Sequence, residues 1–351
     1  MSSQETARLA HVDSLRLIAA GLVVFQHLAE YYPTGWSKPL VALGPGVTGV
    51  ALFFLISGYV IPFSVRRGLD LRSFAIRRLL RIYPLFLAAL ALVAIGGWTG
   101  VLGQWGDLRE ADFLRWLANL LLVQEFVGVR PILGVSWTLI IELIWYALFA
   151  GACWRYKERA AAILGLAVPV TLLVLGVISL ISEIRIPLGR PAMIYAAVLG
   201  YQAFEYRTGL VDLRRLIGAI ALFLAVTWFT NFVSFGVYSH AKITLAQAIG
   251  PWTVAPIIFF GVILNDRLRD AKLLSAGLLP MLGAISYSIY LLHPIAIAFA
   301  RQHLPAGSVV SAAIGLTLAL SWAGYRLVER PGIALGRKLA ARDAHRMAVP
   351  V

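Results

Sequence analysis

Residues 11–32 read HVDSLRLIAAGLVVFQHLAEYY, a stretch long and apolar enough to cross a bilayer as a helix. It also holds Arg16 and His27, eleven residues apart. On a helix this spacing places both side chains on one stripe, about 16 Å apart along the axis. Asp13 lies three residues before Arg16 and can pair with it at the helix start. Ionisable side chains inside a membrane helix are costly, so they mark a functional site by default.

The composition predicts an all-α polytopic membrane protein. Hydrophobic residues make up 60% of the 351 residues and charged residues only 14%, against about 25% charged residues in a soluble domain. We expect a bundle of about ten transmembrane helices in a single membrane domain, 1–351, with its core at about 11–338 and no soluble C-terminal esterase-like domain. The expected spans are roughly 14–32, 44–65, 76–97, 136–154, 161–182, 190–206, 213–234, 247–264, 278–300 and 306–327.

One further apolar segment, 108–126, carries five charged residues and is too polar for a span. We expect an interfacial amphipathic helix there. In the second span, Gly58 and Pro62 would allow a close helix approach or a kink.

The net charge of +14 is explained by membrane topology. If both termini are cytoplasmic, 23 of the 31 Lys and Arg residues fall on the cytoplasmic side. The distribution therefore predicts a multi-pass membrane protein with both termini in the cytoplasm, and membrane lipids, not nucleic acid, as the partner of its basic residues. The one cysteine, Cys153, excludes an internal disulfide and a cysteine-based metal cluster, and we expect no metal.

Six arginines and no lysine lie within 66–81 at the predicted cytoplasmic face: Arg66, Arg67, Arg72, Arg77, Arg78 and Arg81. The planar guanidinium group binds two phosphate oxygens at once. Arg78 and Arg81 share a face at the start of the third span, so a phosphate-binding role is favoured for them. Lipid headgroup contact is the alternative for the cluster as a whole.

Glu142 has at least five uncharged residues on either side within a predicted span, and Trp137 and Tyr146 lie near it in sequence. A carboxylate there needs a cation, a proton or a hydrogen-bonded pocket. It is either a buried clamp between helices or a group that orients His27 or pairs with Arg16.

The segment ISYSIYLLHP, residues 285–294, places Tyr287, Tyr290 and His293 roughly on one helical face. A hydrogen-bonded structural role is favoured for His293 over a catalytic one. The sequence contains no GxSxG element, which argues against acyl transfer by a serine hydrolase.

Together these motifs resemble the bacterial membrane acyltransferase 3 family, which O-acylates surface polysaccharides, lipopolysaccharide and related glycosides. The resemblance covers residues 11–338. Its motifs are Arg16 through His27, FFLISGY (53–59), RLLRIYP (78–84), WTLIIELIWY (137–146), ISYSIYLLHP (285–294) and VERPGIALGRK (328–338). The chain departs from the family pattern at Ile140, often Ser, and at Leu143, often a second Glu.

The resemblance implies an O-acyltransferase of the bacterial inner membrane that uses cytoplasmic acyl-CoA, with acetyl-CoA the first choice and succinyl or longer groups still open. Arg78 and Arg81, helped by Arg77 and Arg72, would hold the CoA phosphates. Arg16 would contact the pantetheine end or stabilise charge on the thioester oxygen.

His27 would act as general base on the acceptor hydroxyl or carry the acyl group transiently. Glu142 would fix the His27 tautomer or balance Arg16. We expect supporting or substrate-contacting roles for Asp13, Trp137, Tyr146, Tyr287, Tyr290 and His293.

The acceptor would be an exopolysaccharide, O-antigen, lipo-oligosaccharide or small glycoside, selected by outer loops 97–135 and 233–246, with glycan-assembly proteins as further partners. The alternatives are a proton-coupled secondary transporter of an anionic solute and a non-catalytic scaffold. Transporters often show internal repeats, and the two halves of the sequence show no such similarity.

Overall fold

The computed structural model describes residues 10–33, 35, 37–66, 68–237 and 244–348, apart from the side chains of 342–348. All regular structure in these ranges is helical, as the composition predicts. The α-helices are α1 (Ala10–Tyr31), α2 (Ser37–Val41), α3 (Pro45–Val60), α4 (Leu71–Thr99), α5 (Phe113–Leu120), α6 (Trp137–Tyr156), α7 (Ala160–Ser182), α8 (Gly189–Arg207), α9 (Leu213–Asn231), α10 (Leu245–Leu264), α11 (Asp266–Asp270), α12 (Lys272–Ser275), α13 (Leu278–Gly283), α14 (Ser286–His303), α15 (Val309–Gly324) and α16 (Arg330–Ala348). Short 3₁₀ or π segments follow or join several of them, at Ile61–Val65, Gly103–Glu110, Gly134–Ser136, Lys157–Arg159, Phe232–Val237, Ala306–Ser308 and Tyr325–Glu329.

The chain is a membrane protein with seven helical stretches, among its described residues, that are long and apolar enough to cross a bilayer. Two further helical stretches, Lys272–Gly283 and Ser286–His303, are bent by 51° relative to each other. If this pair forms one span, the number of candidate spans is eight. The expected number of about ten spans stays a prediction.

The helices group into two compact units, and neither is continuous in sequence. The first unit comprises Met1–Leu69 and Ala147–Ser286, and the second comprises Asp70–Tyr146 and Tyr287–Val351. Helices α6 and α14 each pass from one unit into the other.

In the first unit, α3 packs against α1, α8 and α10. Its approach to α8 depends on two glycines. A Cβ atom on Gly58 would lie 1.7 Å from the carbonyl oxygen of Ala197, and a Cβ on Gly200 would lie 2.0 Å from that of Leu55. Because these backbones are in van der Waals contact, neither position has room for a side chain. The predicted role of Gly58 in close helix packing is confirmed.

In the second unit, α4 packs along α16 and against the 3₁₀ turn at Gly103–Glu110. The Asp70 carboxylate caps α4 by accepting hydrogen bonds from the backbone N–H groups of Arg72 and Ser73, both at 3.2 Å. Asp70 also interacts with the Ser73 side chain. This interaction, followed by the two backbone hydrogen bonds, lowers the pKa of the Asp70 carboxyl below its ordinary value. The cap therefore fixes the residue at which the arginine-bearing helix begins.

The expected amphipathic helix at 108–126 is wrong in its extent. Only α5, eight residues long, is α-helical there. Asp112 accepts a hydrogen bond from the backbone N–H of Arg115 at 2.8 Å and starts a new helix in mid-segment. Leu122 has a left-handed φ of 55°, so the chain turns directly after α5.

Adding a methyl group at the α3–α8 contact should destabilise the protein. We expect Gly58→Ala to lower the free energy of unfolding by about 3 kcal/mol or more, since backbone must move to accommodate it. Gly218→Ala on α9 is the control, because a Cβ there meets no atom within 4 Å. Thermal unfolding in nanodiscs should show a lower melting temperature for Gly58→Ala alone. Equal melting temperatures would contradict the close contact.

Candidate active site

The predicted Asp13–Arg16 pair forms at the start of α1. Nη1 of Arg16 lies 2.6 Å from Oδ1 of Asp13, and both side chains are half-buried. The helix start is anchored next to this pair, because the Ser14 hydroxyl donates a hydrogen bond to the carbonyl oxygen of Leu274 at 2.8 Å. The ion pair fixes the Arg16 guanidinium at one end of the membrane-spanning helix.

His27, at the other end of α1, contacts a carboxylate that sequence reasoning missed. Its Nδ1 lies 3.1 Å from Oε2 of Glu30. The second carboxylate oxygen of Glu30 accepts a hydrogen bond from Nε2 of Gln26 at 2.6 Å. The signal was present in the sequence, since residues three and four apart are neighbours on a helix. The predictions paired His27 with Glu142 instead.

Arg78, in the second unit, is held by two aromatic rings. Its guanidinium carbon lies 5.2 Å from the ring centre of Phe74 and 5.3 Å from that of Tyr146. Both distances fall within the range of cation–π attraction. The Tyr146 hydroxyl in turn donates a hydrogen bond to Glu142, one helical turn earlier on α6. Arginine, tyrosine and glutamate thus form one continuous chain of contacts.

The remaining predicted arginines differ in exposure. Arg77 and Arg81 on α4 are half-buried, and Arg72 near its start is exposed. Arg66 is exposed and belongs to the first unit. Arg67 lies outside the described residues, as does part of the predicted outer loop, 238–243.

The two tyrosines predicted on α14 both make hydrogen bonds within the second unit. The Tyr287 hydroxyl donates to the carbonyl oxygen of Ile82 on α4 at 2.8 Å. The Tyr290 hydroxyl accepts from Thr138 at 2.9 Å and lies 3.2 Å from the carbonyl oxygen of Val135, to which it donates. Both tyrosines therefore fasten α14 to elements that carry predicted site residues.

His293 is fully buried, and its Nδ1 lies 2.7 Å from the carbonyl oxygen of Tyr290 on the same helix. This contact fits a structural role for the ring. Trp137, the last of the predicted residues, begins α6 and is half-buried.

Glu329 is a second carboxylate that the sequence analysis does not identify. It is only 2% exposed and accepts a hydrogen bond from the Ser288 hydroxyl at 2.6 Å. The closing motif at 328–338 contains Glu329, but nothing in the sequence links that motif to Ser288, 41 residues earlier.

Charged and phenolic groups of the second unit act on one another electrostatically. Tyr287 interacts electrostatically with Glu329, Glu142 and Arg81. Tyr146 does so with Glu142, Arg78 and Arg81. We call this set the second-unit cluster: Arg78, Arg81, Glu142, Tyr146, Tyr287 and Glu329. Asp13, Arg16, His27 and Glu30 belong to the first unit.

A family model described as an acyltransferase domain matches residues 9–326. The chain belongs to the acyltransferase 3 family. This acyltransferase is 27% identical over 368 residues to nodulation protein 10 of Rhizobium leguminosarum bv. viciae, covering 94% of this chain and 95% of that protein. It is also 27% identical over 310 residues to the exopolysaccharide production protein ExoZ of Rhizobium meliloti strain 1021, covering 83% and 91% of the two chains. No solved structure matches it.

Acyl transfer to a hydroxyl needs a group that accepts a proton and a group that stabilises negative charge. A hydroxyl must lose its proton as it attacks an acyl carbon, and the imidazole of His27 is suited to receive that proton. Negative charge then develops on the carbonyl oxygen, and a hydrogen-bond donor or cation fixed close to that oxygen stabilises it. In the described part of the chain, no three His, Cys, Asp or Glu side chains are grouped to hold a metal ion.

Proposed function

We propose that this acyltransferase moves an acyl group, with acetyl the first choice, from cytoplasmic acyl-CoA to a hydroxyl of a cell-surface glycan or glycolipid. The carrying observation is the composition of α1, which holds a paired Arg16 and a carboxylate-bound His27 on a helix apolar enough to span a membrane. Charged groups in such a helix are retained where function needs them. The name of ExoZ, a relative of similar length, supports a polysaccharide as acceptor.

Arg78 and Arg81 bind the CoA phosphates in this proposal, with Arg77 and Arg72 adding positive charge. The two rings on Arg78 fix the plane of its guanidinium, and a planar fork of fixed direction binds phosphate oxygens in pairs. Glu142 and Tyr146 would hold this orientation of Arg78, since the Tyr146 ring contacts Arg78 and its hydroxyl donates a hydrogen bond to Glu142. A direct role of Glu142 toward His27 or Arg16 stays a prediction.

Two chemical routes follow for His27. As a general base, it takes the proton of the acceptor hydroxyl while that oxygen attacks the thioester carbon, and it returns the proton to the departing CoA sulfur. As a carrier, its ring nitrogen attacks the thioester carbon and CoA leaves as the thiolate, which gives an acyl-imidazolium. The acceptor hydroxyl oxygen then attacks the acyl carbon, the bond from carbon to nitrogen breaks, and the hydroxyl proton passes to the CoA thiolate. Arg16 lies about 16 Å from His27 along the axis of α1, so in both routes it would contact the pantetheine end of the donor and not the reacting carbonyl group.

We also propose ten spans with both termini in the cytoplasm and one membrane domain over 1–351. Gly134–Ser182 counts as one apolar stretch but has 49 residues, about 73 Å of helix against a hydrocarbon core of about 30 Å. It therefore contains two spans, α6 and α7, joined at Lys157–Arg159. With the bent pair and with α8, which has 19 residues, the seven stretches become ten.

The proposed function predicts that His27→Ala abolishes transfer. In inverted membrane vesicles given labelled acetyl-CoA and a glycan acceptor, we expect a loss of about 100-fold or more, since the base or carrier is gone. His303→Ala is the control, because that exposed imidazole lies at the end of α14 and contacts the carbonyl oxygen of Val101. Equal transfer by parent and His27→Ala at equal expression would exclude both routes.

A second prediction concerns the donor. Arg78→Lys keeps the charge but loses the planar stacking and the fork, so we expect the KM for acetyl-CoA to rise about tenfold with little change in kcat. Arg214→Ala, at an exposed arginine on α9, should leave the KM unchanged. An Arg78→Lys variant with the parental KM would exclude Arg78 from donor binding.

A further inference from the structure

The carboxylate of Glu30 is held through both of its oxygens. Oε2 lies 3.1 Å from Nδ1 of His27, and Oε1 accepts a hydrogen bond from Gln26 at 2.6 Å. All three side chains belong to the last turns of α1, at spacings of three and four residues. Two partners leave the carboxylate little freedom to rotate, so its direction relative to the imidazole is fixed.

Gln26 is itself positioned by the first turn of α3. The backbone N–H of Gly46 points to Oε1 of Gln26 at 3.4 Å. The first N–H groups of a helix have no partner within the helix and are free to donate in this way. Gly46 also makes room for the glutamine, because a Cβ there would lie 2.9 Å from its Cγ and 3.1 Å from its Cβ. The chain of contacts therefore runs from α3 through Gln26 and Glu30 to His27.

His27 and Glu30 both lie at the surface of the protein. Their side chains are 37% and 45% exposed. This openness leaves the imidazole accessible to a substrate. The contact with Glu30 sets the direction of the ring and decides which of its nitrogens carries the hydrogen.

We propose that Glu30 is the positioning residue of His27 and that Gln26 and Gly46 hold Glu30 in place. An ionised carboxylate only accepts hydrogen bonds, so Nδ1 of His27 carries the hydrogen. The lone pair of the neutral ring then lies on Nε2, and Nε2 is the reacting nitrogen in either route. This inference rests on the proposed role of His27. When Nε2 takes the proton of the acceptor hydroxyl, the positive charge of the imidazolium is balanced by Glu30.

The tautomer of His27 tests the inference without any acyl transfer. In protein labelled with ¹⁵N-histidine and held in nanodiscs, the His27 signals are identified by their loss in His27→Asn. We expect the parent ring to be protonated at Nδ1, and Glu30→Ala to give a mixture of tautomers. A parent ring protonated at Nε2 alone, or an unchanged ring in Glu30→Ala, would overturn the inference.

Kinetics supply the second test. Glu30→Ala should lower kcat about 100-fold and leave the KM for acetyl-CoA unchanged, since only the imidazole is disturbed. Glu30→Gln keeps an acceptor oxygen but loses the charge, so it should hold the Nδ1–H tautomer and lose only about tenfold. A merely structural Glu30 would give neither this ranking nor a change in tautomer.

Gly46→Ala reaches the same ring without altering His27 or Glu30. Its methyl group pushes Gln26 aside, so kcat should fall about threefold to tenfold while the KM for acetyl-CoA stays constant. Gly21→Ala on α1 is the matched control, because a Cβ there meets no atom within 4 Å. Parental kcat in Gly46→Ala would overturn the role of the α3 contact. Full transfer by His27→Ala would instead overturn the proposed role of His27, on which the inference rests, and leave the acyl transfer itself standing.

Discussion

A charged side chain that leaves water must find an opposite charge or hydrogen-bonding partners, because the apolar surroundings do not solvate it. This constraint accounts for the polar architecture of the protein. Arg16 pairs with Asp13, Arg78 lies against two rings, and the buried Glu329 accepts a hydrogen bond from Ser288. Each contact also fixes the direction of the charged group, so the partners that make these charges tolerable in a membrane helix hold them in one orientation.

Close backbone packing supplies the rigidity that these contacts need. Gly58 and Gly200 bring α3 and α8 together at a distance that no side chain would permit. At a third glycine, Gly46, the missing side chain leaves room for the Gln26 side chain against the first turn of α3. Lipid chains are as apolar as the helix surfaces, so close contact and hydrogen bonds, more than the hydrophobic effect, hold membrane helices together. Gln26 in turn contacts Glu30, the proposed positioning residue of His27.

Most of the features that the sequence predicts correctly depend on residues close together along the chain. The Asp13–Arg16 pair and the helical fold follow from periodicity and composition, and the role of Gly58 follows from residue size. Contacts across long stretches of chain have no such signal: Thr138 and Tyr290 are 152 residues apart, and Ser288 and Glu329 are 41 apart. The apolar pattern of 108–126 predicts one helix, but Asp112 caps a new helix within this segment. The pairing of His27 with Glu30, three residues later, also follows from helical spacing, although the sequence analysis considers only Glu142 as its partner.

Vesicles of opposite orientation give the most direct measurement of acyl transfer from the cytoplasm to an outer acceptor. Labelled acetyl-CoA is a polyanion that does not cross a bilayer, so it reaches only the face to which it is added. The glycan acceptor lies on the membrane face that looks outward in the cell. Inverted vesicles, which expose the cytoplasmic face to the added donor, should acylate it. Right-side-out vesicles should do so only after detergent opens them. Equal labelling by intact vesicles of both orientations would contradict a donor site on the cytoplasmic face.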